Sequence, residues 1–103
     1  MPEEIFDVAS SIEYQENAIV SRELMKKEVG NITIFAFDKG QGLSEHTAPF
    51  DALMYIVDGS AEVKISGEGH LLRQGQMLIA PAGKPHELKA VERFKMVLVM
   101  LKA

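Results

Sequence analysis

The chemistry available to this sequence concentrates in its histidines. His86 closes the stretch Gly75-Gln76-Met77-Leu78-Ile79-Ala80-Pro81-Ala82-Gly83-Lys84-Pro85-His86, and His46 stands forty residues upstream, after Gly40 and Gly42. Neutral imidazole is a common metal ligand and a general base near neutral pH. Pro85 holds Lys84 in extended geometry, and Gly83 permits a backbone twist that a Cβ would oppose. Together they aim the chain at His86. The same residues also suit a pair of half-buried structural histidines hydrogen-bonded to their neighbours. His70 follows Gly69 beside a charged turn and reads as exposed, with no functional role.

The residues that are missing narrow the chemistry further. Cysteine is absent, which removes disulfides, thiolate metal sites and cysteine nucleophiles and fits a reducing compartment. Eleven basic against fifteen acidic residues give a net charge of −4. Lys26-Lys27 is the only adjacent basic pair, so no basic stripe for nucleic acid is present. The start, Met1-Pro2-Glu3-Glu4, is acidic and no apolar signal core follows. No apolar run approaches the roughly 18 residues of a membrane helix. The expectation is a soluble cytoplasmic protein with no nucleic-acid or membrane partner. Its 103 residues suffice for one domain and one core.

The elements that must position the histidines are strands. Asp7 to Ile12 suits one helical turn with Asp7 as its cap. Ile19 to Lys26 is a weak strand, and Gly30-Asn31 supplies a turn. Ile32 to Phe37 is β-branched and aromatic, as a pleated surface requires. Leu53 to Val57 runs into Asp58-Gly59, a hairpin signal. Ala61 to Ile65 alternates, with one wet and one buried face. His70 to Arg73, Met77 to Ala80 and Phe94 to Leu101 follow. About eight short strands with almost no helix imply an all-β sandwich or barrel.

Here the sequence resembles the small single-domain cupins of the cupin-2, RmlC-like type. The second cupin motif is glycine, five residues, proline, one residue, glycine, two residues, histidine, three residues, asparagine. Gly75, Pro81, Gly83 and His86 match it, and Ala90 stands at the asparagine. The first motif is glycine, five residues, His-x-His, three or four residues, glutamate, six residues, glycine. Gly40, His46 and Gly59 match, while Ala48 replaces the second histidine and Ala52 the glutamate. The resemblance spans about residues 32 to 101. It implies a double-stranded β-helix, a jelly-roll-like barrel of two facing antiparallel sheets around a pocket. On this reading residues 1–31 form an N-terminal segment with a dimer-interface strand, and residues 32–103 form the barrel.

In metal-containing cupins, three histidines and a glutamate surround one metal. Only His46 and His86 carry over, and two imidazoles make an incomplete site. The resemblance therefore allows a divalent metal (Fe, Mn, Ni or Zn) at low occupancy, with His46 and His86 as partial ligands. Asp51 lies one residue from the lost glutamate. A bulge after Pro49 would turn it inward, whereas a plain loop leaves it in solvent. Met54, Ile56 and Leu88 share the inward parity of the pocket, and Phe94, Met96, Leu98 and Met100 line its far wall or simply pack the core. The expected cavity is apolar, widened by alanines, and carries two histidines.

Three functions follow from different classes. The first is a binding protein that holds a small, partly apolar molecule, with His46 and His86 as polar anchors and Met54, Ile56 and Leu88 as walls. The second is a metal-dependent cupin enzyme of oxygenase, isomerase or decarboxylase type. The third is metal-free acid/base catalysis, disfavoured because Tyr55 has the parity opposite to Met54 and Ile56. Leu53, Tyr55, Val57, Val97, Val99 and Leu101 add a second apolar face to the barrel wall. That face implies a homodimer, with Ile19 to Met25 available to cross over.

Overall fold

The structure, a computed structural model, describes residues 3–103. Met1 and Pro2, part of the acidic start noted above, lie outside the described residues. A single 3-10 turn at Val8–Ser10 precedes eight strands. They are β1 (Ile19–Lys27), β2 (Gly30–Phe37), β3 (Gly42–His46), β4 (Phe50–Ile65), β5 (Glu68–Arg73), β6 (Met77–Ala80), β7 (His86–Lys89) and β8 (Phe94–Lys102). All pairings are antiparallel. One sheet runs β1-β2-β8-β4-β6, and the second runs β3-β7-β4-β5.

Strand β4 belongs to both sheets, and this corrects the expected hairpin at Asp58-Gly59. Its first half pairs with β8 and β6, and its second half pairs with β7 and β5. The register slips between Ile56 and Asp58, and Gly59 takes a φ of 72°. The positive φ bends the strand from one sheet into the other without reversing it. A Cβ at Gly59 would meet the Arg93 carbonyl oxygen, so the corner is closed to larger residues.

Two smaller expectations also change. The turn expected at Gly30-Asn31 sits at Glu28 and Val29. Gly30 is already in β2 and buried, because its Cα packs on the Met100 carbonyl with no room for a side chain. Asp7 makes no side-chain cap; its backbone carbonyl accepts the Ser10 N–H instead.

The core lies between the sheets. Phe37, Phe94, Met54, Ile56, Met96 and Val63 are essentially inaccessible, each worth roughly 1.5–3 kcal/mol of apolar burial. Phe37 and Phe94 are cross-strand partners, and their rings stack at 4.5 Å. Strand β2 is apolar on its other face too. There Ile34 and Ala36 meet Ile12, Val8, Tyr14, Val20 and Leu24 in a second cluster. The N-terminal segment thus covers one end of the barrel's outer wall. Strand β1, which contains the Ile19 to Met25 stretch, pairs with β2 of the same chain.

Candidate functional site

His46 ends β3 and His86 begins β7, and the register makes them cross-strand partners. Their ring centroids are 4.2 Å apart, edge to face at 63°. The loop before His86 is tied at three points. Ala82 N–H donates to the Asp51 carboxylate at 2.9 Å, Gly83 N–H to the Ala48 carbonyl at 2.9 Å, and Ser66 N–H to the Pro85 carbonyl at 2.8 Å. Gly83 has a φ of 80°, the twist its residue type allows. Asp51 is exposed and fastens this loop; it does not turn into the pocket as a ligand.

Each imidazole leans on the carbonyl two residues before it. His46 Nδ1 is 2.8 Å from the Ser44 oxygen, and His86 Nδ1 is 3.4 Å from the Lys84 oxygen. A carbonyl can only accept, so in the neutral ring these contacts favour the tautomer with the proton on Nδ1 and the lone pair on Nε2. Burial holds the His86 imidazole below its ordinary pKa; the Lys84 carbonyl opposes this and the neighbouring His46 adds to it. The pair therefore presents one acceptor nitrogen from each ring.

The two rings stand at one end of a cavity of about 130 Å³ between the sheets. His46 is exposed and marks the open side of the cavity, and His86, Ala48 and Met100 are half-buried along its wall. Ala52, Met54, Leu88 and Met96 are buried and form its floor. Phe35, Leu43 and Leu98 complete the walls. The lining is almost wholly apolar apart from the imidazoles.

Of the residues expected at the site, His46, His86, Met54 and Leu88 come together around this cavity. Ile56 does not. It shares their parity but lies in the packed core, fully buried and off the cavity wall. Phe94 and Ala90 are likewise core residues off the wall, while Met96, Leu98 and Met100 do line it. Tyr55 points to the outer face, 36% exposed, and cannot reach the histidines. His70 is half-buried in β5 opposite Val63, where the sequence had it exposed. Sequence reasoning missed Phe35 and Leu43. Strand β2 is apolar on both faces, so alternation does not say which face is inward. Strand β3 is too short and polar to announce itself.

A family model described as a cupin domain matches residues 33–102. The chain belongs to the cupin family. No curated protein matches it. Among solved structures, this cupin is similar to a conserved protein of unknown function, SPY1581, from Streptococcus pyogenes. The two are 36% identical, with a TM-score of 0.93 over 100% of this chain and 90% of that one. A cupin superfamily protein from Desulfitobacterium hafniense is 30% identical, with a TM-score of 0.92 over 100% of this chain and 94% of that one. A cupin 2 conserved barrel domain protein from Leptotrichia buccalis is 39% identical, with a TM-score of 0.91 over 94% of this chain. The cupin spans about half of that protein, 47% of its length.

The donors around the cavity do not fit the four-ligand divalent site that the family resemblance implies. Among the described residues no group of three or more His, Asp or Glu side chains converges. Ala48 and Ala52 line the cavity where further ligands would stand, and Asp51 is engaged elsewhere. Among the described residues no helix is long and apolar enough to cross a membrane.

Proposed function

We propose that this cupin binds a small, partly apolar molecule in the cavity behind His46 and His86. The observation that carries the reading is an apolar cavity of about 130 Å³ with two imidazoles as its polar end. Water occupies about 30 Å³ per molecule in the liquid, and an apolar cavity of about 150 Å³ takes up benzene. The ligand class is therefore a single ring or short branched chain with one hydrogen-bond donor to meet an Nε2 lone pair. Phenols and small aliphatic alcohols meet both requirements. Thermal-shift titration with one-ring phenols tests this. Stabilisation that His86→Leu abolishes supports the reading, and no stabilisation by any such compound overturns it.

We further propose self-association of two copies through the outer face of the first sheet. Tyr55, Met77, Ile79 and Leu101 are exposed there, and Leu53 pairs with both Ile79 and Val99 across adjacent strands. An apolar sheet face of this kind favours a covering partner. Light scattering at micromolar concentration should give twice the chain mass, and a monomer would contradict it.

A further inference from the structure

The cavity has two unlike walls. His46, His86, Leu43 and Leu88 reach it from β3 and β7 of the second sheet. Phe35, Met54, Met96, Leu98 and Met100 reach it from β2, β4 and β8 of the first. Register gathers the thioethers on that first wall. Met96, Leu98 and Met100 alternate along the inward face of β8, and Met54 is the cross-strand partner of Leu98 between the other two. Phe35 is the partner of Met96 on the opposite side of β8. Three of the chain's six methionines thus share one side of one small cavity. In a sealed core such unbranched side chains fill the gaps. Here about 130 Å³ stays open in front of all three.

We propose that the thioether wall of Met54, Met96 and Met100 selects an aromatic ring over a saturated ring of equal size. The proposal rests on the small-molecule reading of the cavity and narrows its ligand class from one-ring or branched alcohols to phenols. Apolar burial alone does not make this choice, because it scales with area and a saturated ring offers as much. Sulfur does. A thioether is polarizable and is attracted to an aromatic ring about 5 Å away, often at the ring edge, where the ring quadrupole is positive. Each such contact is worth roughly twofold to tenfold in affinity. An aliphatic wall of leucine or isoleucine has no counterpart to it. Three rotatable bonds also let each methionine settle against a flat ring. The rest of the lining agrees. Phe35 adds an aromatic face beside Met96, and the imidazoles on the facing wall offer an acceptor to the hydroxyl.

The test compares phenol with cyclopentanol, a saturated alcohol of similar volume, by calorimetric titration. It uses the wild-type chain and the same chain with every methionine replaced by norleucine. Norleucine exchanges Sδ for a methylene and keeps the length and lack of branching, so the sulfur contact goes without a cavity being opened. The wild type should bind phenol at least about fivefold more tightly than cyclopentanol. The norleucine protein should lose this preference, to within about twofold, through weaker phenol binding, with cyclopentanol unchanged. Met25 and Met77 lie outside the cavity, so Met25→Leu and Met77→Leu should leave the preference intact. Equal affinity for the two alcohols in the wild type would overturn the proposal and leave the small-molecule reading standing. A phenol preference that survives norleucine would overturn it too, and would assign the preference to the stronger hydroxyl donor. Binding of neither alcohol would overturn both readings. If circular dichroism shows the norleucine protein unfolded, Met54→Leu and Met96→Leu, close in volume to the original residues, take its place. Each should weaken phenol binding about twofold or more and leave cyclopentanol unchanged; equal losses for both alcohols would overturn the proposal.

Discussion

His46 and His86 face each other across β3 and β7 with ring centroids 4.2 Å apart, each leaning on the carbonyl two residues behind it. The repeated contact favours the same tautomer in both rings, more firmly at 2.8 Å in His46 than at 3.4 Å in His86. Two acceptor nitrogens at the mouth of an apolar pocket are thus a product of backbone geometry, and the strand register supplies it.

The first prediction concerns pH. Burial lowers the His86 pKa, the Lys84 carbonyl partly restores it, and His46 lowers it further. The folded value therefore lies below the unfolded value of about 6.5. The unfolded state binds more protons between the two values, so the contribution to stability is complete above about pH 6.5 and is lost as pH falls through the folded pKa. Proton NMR of the His86 ring should show a midpoint below about 6.5. His46→Ala should raise it. A wild-type midpoint at or above the ordinary value would contradict the burial argument.

The second concerns the N-terminal segment. Tyr14 donates its hydroxyl to Asp58 at 2.5 Å, its ring lies under Arg93 and Lys95, and Lys95 donates to the Ala9 carbonyl at 2.5 Å. Burial first, then the hydrogen bond and the charge of Asp58, push the Tyr14 phenol well above its usual value, with Arg93 opposing. The folded pKa exceeds the unfolded one of about 10, so the contribution is complete below that pH and is lost above it. Tyr14→Phe should cost about 1 kcal/mol near neutral pH, less than a fully buried hydrogen bond to a carboxylate because solvent screens this one in part. Ultraviolet titration should show a phenol that resists ionisation in the wild type and is missing from the variant. Denaturant melts read the stability change.

Much of the fold was legible because the apolar runs and glycine turns are local signals. Gly75, Pro81, Gly83 and His86 mark the second motif, and His86 reaches the cavity mouth as that spacing implies. What stayed hidden depends on distant contacts. Asp58-Gly59 looks like a reversal locally. It becomes a corner because β4 has partners on both sides in two sheets, and because Asp58 is held by Tyr14, forty-four residues away. Ile56 and Met54 share one parity, yet only Met54 reaches the cavity. Parity gives the face but not the depth. Asp51 could not be placed from sequence because its partner, the Ala82 N–H, lies in a loop whose path the sheets decide.

The third prediction restores the absent donors. Ala48 and Ala52 both line the cavity beside the histidines. Ala48→His with Ala52→Glu should create a four-donor set of the kind that holds a divalent ion. The added carboxylate enters an apolar site at a position only 4% exposed, so the metal-free variant should be less stable than the wild type. Manganese, iron or zinc should recover that stability by binding the folded state alone. Metal analysis after dialysis, paired with thermal melts, checks both halves. A variant that neither retains metal nor gains stability from it would show that positions 48 and 52 do not converge on the histidines.

The central claim is that the cavity behind His46 and His86 receives a one-ring ligand. Its most direct test is methyl NMR of the wild-type protein during titration with phenol. The methyls of Met54, Met96 and Met100 line the cavity, while Met25 and Met77 stand outside it and report non-specific binding. The account predicts saturable shifts at the three cavity methyls and at the His86 ring, with Met25 and Met77 unchanged. Shifts confined to Met25 and Met77, or no saturable shift at any cavity methyl, would contradict it.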